Sequence, residues 1–115
     1  EGLQQIFEAV LENKPFILNV YRSVKREQVE SYLYSLTYQL IEGGVEEQSE
    51  NLMVTEEQKK FIADFYKYSF VGVMLDWIKR GMKEAPEEIA NMVCVTMHGN
   101  VGNSLRNMEK EGNKD

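Results

Sequence analysis

One cysteine and one histidine occur in 115 residues, and each scarcity removes a class of chemistry. A lone Cys94 forbids an internal disulfide and a multi-cysteine metal site. A lone His98 cannot be half of a two-histidine site, and without Glu-x-x-His a di-iron bundle is excluded. Basic residues are also scarce: 13 Lys+Arg against 19 Asp+Glu leave a net charge of −6. That balance argues against this segment gripping a phosphate backbone, which needs a dense basic face. No apolar run approaches the roughly 18 residues that suggest a membrane span, so no membrane partner is expected. Neither Gly-x-Gly-x-x-Gly nor Gly-x-x-x-x-Gly-Lys-Ser/Thr occurs, which removes a phosphate-cradling loop. Gly99-Asn100-Val101-Gly102 is too short and follows no strand.

What is present is helical periodicity. Only two prolines occur, and with the glycines they fall mostly at segment edges. Five helices and no strand are expected. The first covers about 2 to 13, with Leu3, Ile6, Phe7, Val10 and Leu11 on one face. Asn13-Lys14-Pro15 ends it, and a short second helix runs near 15 to 23. The third spans about 26 to 42, with Val29, Leu33, Leu36 and Leu40 as its main stripe. Tyr34, Tyr38 and Ile41 lie on the opposite side, so this helix has two apolar faces to cover.

Gly43-Gly44 is placed to stop the third helix and begin an acidic connector over residues 43 to 54. From Glu27 through Gln58 eight acids occur without a Lys or Arg, a pattern that reads first as a solvated face. Thr55-Glu56-Glu57-Gln58 forms a capping box for a fourth helix from about 56 to 80. That helix is apolar nearly all round, as befits a central or interfacial helix. Gly81 is placed to end it. Ala85-Pro86-Glu87-Glu88 opens a fifth helix expected to reach about residue 109. Its core row is Ile89, Val93, Met97, Val101 and Leu105. Thr96, Gly99 and Asn103 form a second row of small residues, suited to close helix approach. Glu111 to Asp115 reads as a polar tail.

The catalytic inventory is thin, and no enzyme, cofactor or metal is expected. His98 reads as a polar helix position at or near an interface, and Cys94, between Val93 and Val95, as buried and inert. Asp64 and Asp76 lie more than three helical turns apart and make no acid/base pair. The aromatic residues carry more: Tyr21, Tyr32, Tyr34, Tyr38, Phe65, Tyr66, Phe70 and Trp77 all fall on expected helices, as edges of a ligand cleft or as plain core.

From the fourth helix into the fifth, Phe61, Phe65-Tyr66, Gly72-Val73, Trp77-Ile78, Gly81-Met82 and Pro86-Glu87-Glu88-Ile89 occur in an order and spacing that resemble a known family. Glu12-Asn13-Lys14-Pro15-Phe16 extends the likeness. The chain resembles the C-terminal regulatory domain of TetR-type transcriptional regulators, nearest the subgroup related to activators of dihydroxyacetone kinase operons. Ala85 departs from the Ser/Thr usual before that proline, which weakens the cap by about 1 kcal/mol.

The resemblance implies an all-α, five-helix orthogonal bundle over residues 1–115, acting as a ligand-sensing and dimerisation domain in the bacterial cytoplasm. It implies a homodimer whose last two helices form a four-helix bundle with the same pair of the second subunit. Gly72, Leu75, Met92, Thr96, Gly99 and Asn103 are then the candidate interface. DNA is contacted only through an N-terminal helix-turn-helix domain absent from this chain. That expectation agrees with a sequence that starts at Glu1 without an initiator Met and enters a helical pattern at once. The effector, a small molecule or another protein, would shift the dimer between arrangements; a small molecule would enter a cavity between the first four helices, with Tyr21, Tyr38, Phe65 and Tyr66 as its candidate walls. A second expectation, from another class, is a self-standing helical adaptor that binds a partner through the face bearing Trp77.

Overall fold

A computed structural model describes residues 2–23 and 25–112. Among these there are six helices and no strand: α1 (Gly2–Glu12), α2 (Lys14–Tyr21), α3 (Arg26–Gln48), α4 (Glu56–Lys79), α5 (Pro86–Met97) and α6 (Asn100–Gly112). The all-α reading holds, and the fifth expected helix is divided in two.

Local chemistry accounts for the ends of α4. The Thr55 hydroxyl accepts from the Gln58 backbone N–H at 3.0 Å, while the Gln58 side chain accepts from the Thr55 N–H at 2.9 Å. At the other end Gly81 takes a left-handed φ of 89°, its N–H bonding Ile78 O, and the Met82 N–H reaches back to Trp77 O at 2.9 Å. That pair of bonds satisfies carbonyls the helix end would leave orphaned. Met82, itself at φ 56°, buries its side chain in the core. Ala85 precedes Pro86 in an extended conformation and offers no side-chain cap, as its residue type requires.

The core comes in two clusters laid end to end along α3 and α4. The first gathers Leu3, Phe7 and Val10 of α1, Val29 and Leu33 of α3, Val71, Met74, Trp77 and Ile78 of α4, and Ile89, Ala90 and Val93 of α5. The second gathers Ile41 and Val45 of α3, Ile62 and Ala63 of α4, and Leu105 of α6. Phe70 touches both, and the buried Thr37 hydroxyl lies 4.0 Å from Met74 Sδ between them. The molecule measures 52 × 28 × 18 Å. Its radius of gyration of 15.8 Å exceeds the roughly 13 Å of a compact domain of this length.

Four sequence expectations need correction. Gly43-Gly44 does not stop α3, which runs on to Gln48 because Ile41 and Val45 on either side are buried in the second cluster. Burial there outweighs the cost of two helical glycines, about 1 kcal/mol each. The core row of α3 is Val29, Leu33, Thr37, Ile41 and Val45, so Leu36 is half-buried and Leu40 exposed. The helix expected from 86 to 109 breaks at His98–Gly99, where Gly99 has φ 80°. The break lets α5 cover the first cluster against α1 while α6 covers the second against α3 and α4. The expected core row survives it, with Ile89 and Val93 buried before the break and Leu105 after it. Of the expected polar tail, Glu111 and Gly112 belong to α6, and residues 113–115 lie outside the described residues.

Candidate functional site

Apolar side chains on one face of α4 are left uncovered. Phe61 and Phe65 are 62% and 57% exposed and stack on one another at 6.4 Å, with Gly72 and Val73 continuing the stripe. Met92 and Val95 of α5 are 63% and 65% exposed. Between α4 and α5 runs a groove of about 640 Å³ lined by Phe70, Val73, Ile89, Met92 and Met97, with Glu84 and Glu88 also bordering it. Gly72, Met92, Thr96, Gly99 and Asn103 of the expected interface are all exposed, whereas Leu75 is half-buried against the first cluster. Gly99 owes its residue type to the helix break, since an added Cβ would meet nothing within 4 Å yet its φ is left-handed. Gly102 is buried instead, and a Cβ there would lie 3.1 Å from Oε1 at the end of the Gln48 side chain, a side-chain contact and not a close approach of helix backbones.

A second concavity, of about 340 Å³, lies among α1, α2 and α3. Ile6, Val10, Ile17, Val29 and Leu33 line it, and Asn13, Gln28 and Tyr32 supply the polar groups. A third groove, between α3 and α4, is polar and holds Tyr34, Tyr38, Glu42, Lys60, Asp64 and Lys67. Asp64 accepts from Lys60 at 2.9 Å and from Lys67 at 3.2 Å. The Lys60 hydrogen bond, helped by Lys67, holds the Asp64 carboxyl below the usual carboxylate range, and Asp64 in turn raises Lys60.

The four aromatic candidates separate. Tyr21 packs against the first cluster beneath Arg26, whose guanidinium lies 5.4 Å from its ring. Tyr38 lines the polar groove. Phe65 and Tyr66 meet edge-on at 5.3 Å, but Phe65 points to the uncovered face while the Tyr66 hydroxyl pairs with Ser104 Oγ at 2.8 Å, joining α4 to α6. The α1–α2–α3 concavity falls among the first four helices, where an effector cavity was expected, but none of the four aromatic candidates lines it.

Two readings of single residues change. Trp77 is fully buried, edge-on to Phe7, with its Nε1–H donating to Glu84 O at 2.9 Å. It offers no face to a partner, which removes the basis for an adaptor docking through it. Cys94 is exposed on α5 rather than buried, because the side of α5 that meets the core carries Ile89, Ala90 and Val93. Among the described residues no group of three or more His, Cys, Asp or Glu converges as a metal site. No helix there is long and apolar enough to cross a membrane.

No curated protein and no solved structure matches the chain. The family described as the transcriptional regulator C-terminal region, of TetR type, matches residues 1–99, from α1 through the helix break. The chain belongs to that family and is a TetR-type regulatory domain.

Proposed function

We propose that this domain dimerises and senses an effector for a TetR-type regulator of the subgroup related to activators of dihydroxyacetone kinase operons. The observation that carries the dimer is the uncovered stripe of Phe61, Phe65, Gly72 and Val73 beside Met92 and Val95. Contiguous exposed apolar surface of this kind marks an interaction site. Two copies related by a two-fold axis bury it by packing α4 and the α5–α6 segment against their counterparts in a four-helix bundle. Gly72, Met92, Thr96, Gly99 and Asn103 stand at that interface, with Leu75 behind it.

The effector enters an inter-helix cavity. The apolar concavity among α1, α2 and α3, with its few polar groups, suits a small molecule. Tyr21, Tyr38, Phe65 and Tyr66 do not line that concavity, and we assign them to transmitting its occupancy between helices. Binding favours one arrangement of the dimer, which changes the spacing of two N-terminal helix-turn-helix domains outside this chain and so their affinity for an operator in the cytoplasm. A protein effector would act on the same equilibrium from the surface.

Light scattering on the 115-residue chain at micromolar concentration tests the reading. A dimer mass supports it, and a monomer mass overturns the interface.

A further inference from the structure

The polar groove between α3 and α4, with the Tyr68 ring at its edge, holds an arrangement separate from the apolar concavity. Lys67 Nζ lies 4.4 Å from the centroid of the Tyr68 ring and 5.7 Å from those of Tyr34 and Tyr38. Tyr34 and Tyr68 meet edge-on at 5.5 Å, which fixes two walls. Tyr34 and Tyr38 stand one turn apart on α3, so they present neighbouring rings to the same point. The Lys67 side chain is 16% exposed. An ammonium held among three aromatic faces and a carboxylate is the arrangement by which proteins recognise organic cations.

The carboxylate is used twice. Asp64 Oδ2 accepts from Lys60 and Oδ1 from Lys67. One carboxylate therefore serves two cations: Lys67 sits among the three rings, while Lys60 lies beside one of them, 6.0 Å from the Tyr38 centroid. If Lys67 swings out to water, Lys60 still neutralises Asp64, and Oδ1 is left facing three rings. Glu42, one turn beyond Tyr38, lines the same groove and makes no ion pair among the described residues. The groove is shallow and wide open to solvent, with room of about 590 Å³, so a ligand can reach the cage without opening the core.

We propose that Tyr34, Tyr38 and Tyr68 with Asp64 form a binding site for a small alkyl diammonium ion, which Lys67 closes in cis. One ammonium of the ligand replaces the Lys67 ammonium against the three rings and Asp64 Oδ1. The second pairs with Glu42. Exchange of one ammonium for another conserves the charge of the cage, and Lys67 regains full hydration outside it. The site lies apart from the apolar concavity among α1, α2 and α3, while Tyr68 borders the exposed stripe of Phe61 and Phe65 on α4.

The probe is 1,4-diaminobutane, added to the 115-residue chain at constant ionic strength and followed by NMR of the Lys67 ε-methylene protons. Ring currents from the three tyrosines are expected to hold these protons upfield in the free protein. Saturable return toward the shifts of a solvated lysine is the expected result. No change beyond that caused by sodium chloride overturns the proposal. Lys67→Met keeps the aliphatic stem and removes the resident charge. Its removal is expected to tighten binding, about tenfold for a cage that a lysine fills about nine-tenths of the time, measured by calorimetry. Equal affinity in Lys67→Met and the parent chain refutes closure by Lys67. Tyr38→Leu abolishes binding while leaving the helical circular dichroism intact; undiminished affinity there refutes the cage.

Discussion

Phe7 meets Trp77 edge-on with ring centroids 5.0 Å apart, and neither side chain reaches solvent. This contact binds α1 to the last turns of α4 at the centre of the first core cluster. Truncating Phe7 removes its burial and leaves a cavity the neighbours fill only in part. Phe7→Ala is expected to cost about 3–5 kcal/mol in urea unfolding at fixed protein concentration. A loss below about 1 kcal/mol would contradict the packing described.

The uncovered face gives a second prediction. Met92 is exposed in the single chain, so a charge there disturbs association and not the fold. Met92→Glu is expected to sediment as a monomer while keeping its helical circular dichroism. Sedimentation of that variant as a dimer would move the interface elsewhere.

The glycines divide by conformation. Gly99 has φ 80°, where an L side chain costs about 1–2 kcal/mol. Gly43 is helical, with nothing within 4 Å of an added Cβ. Gly99→Ala should lower the melting temperature and Gly43→Ala should raise it, the latter by up to about 1 kcal/mol of stability. This contrast also makes substitution at Gly99 a poor probe of dimerisation, because it strains the single chain as well.

Capping predicts a gain. Ala85 sits at the N-cap of α5 with extended backbone and no acceptor. Ala85→Ser supplies one and is expected to add about 0.5–1 kcal/mol in thermal unfolding. No gain would show that the terminal N–H groups are already satisfied.

Asp64 gives the dependence on pH. Its carboxyl titrates lower in the folded protein than in the unfolded chain, chiefly through Lys60. The stabilisation it contributes is therefore fully present above the unfolded value, about 4, and is lost as pH falls through the lower folded value. Asp64→Asn should be less stable than the parent chain at neutral pH, and the two unfolding curves should converge in strong acid. A difference that persists unchanged in acid would assign the effect to packing.

The amino-acid sequence by itself determined the helices that local chemistry can terminate. Thr55 with Gln58 caps α4, Gly81 ends it, and Pro86 with its following acids opens α5. These signals act within a turn or two of chain and need no distant partner. The family, too, was legible, because its pattern runs through these same elements.

Only tertiary structure decided the rest. Helix α3 passes through Gly43-Gly44 because Ile41 and Val45 find a second core cluster, formed in part by residues more than sixty positions away. The chain breaks at His98–Gly99 because α5 and α6 must cover different clusters, and one straight helix cannot lie over both. The same requirement leaves Cys94 exposed and takes Trp77 out of reach of any partner. The placing of Tyr21, Tyr38, Phe65 and Tyr66 at separate points was likewise set by which helix each one faces. Periodicity marks which positions are apolar, but the neighbour that covers them is a matter of long-range packing.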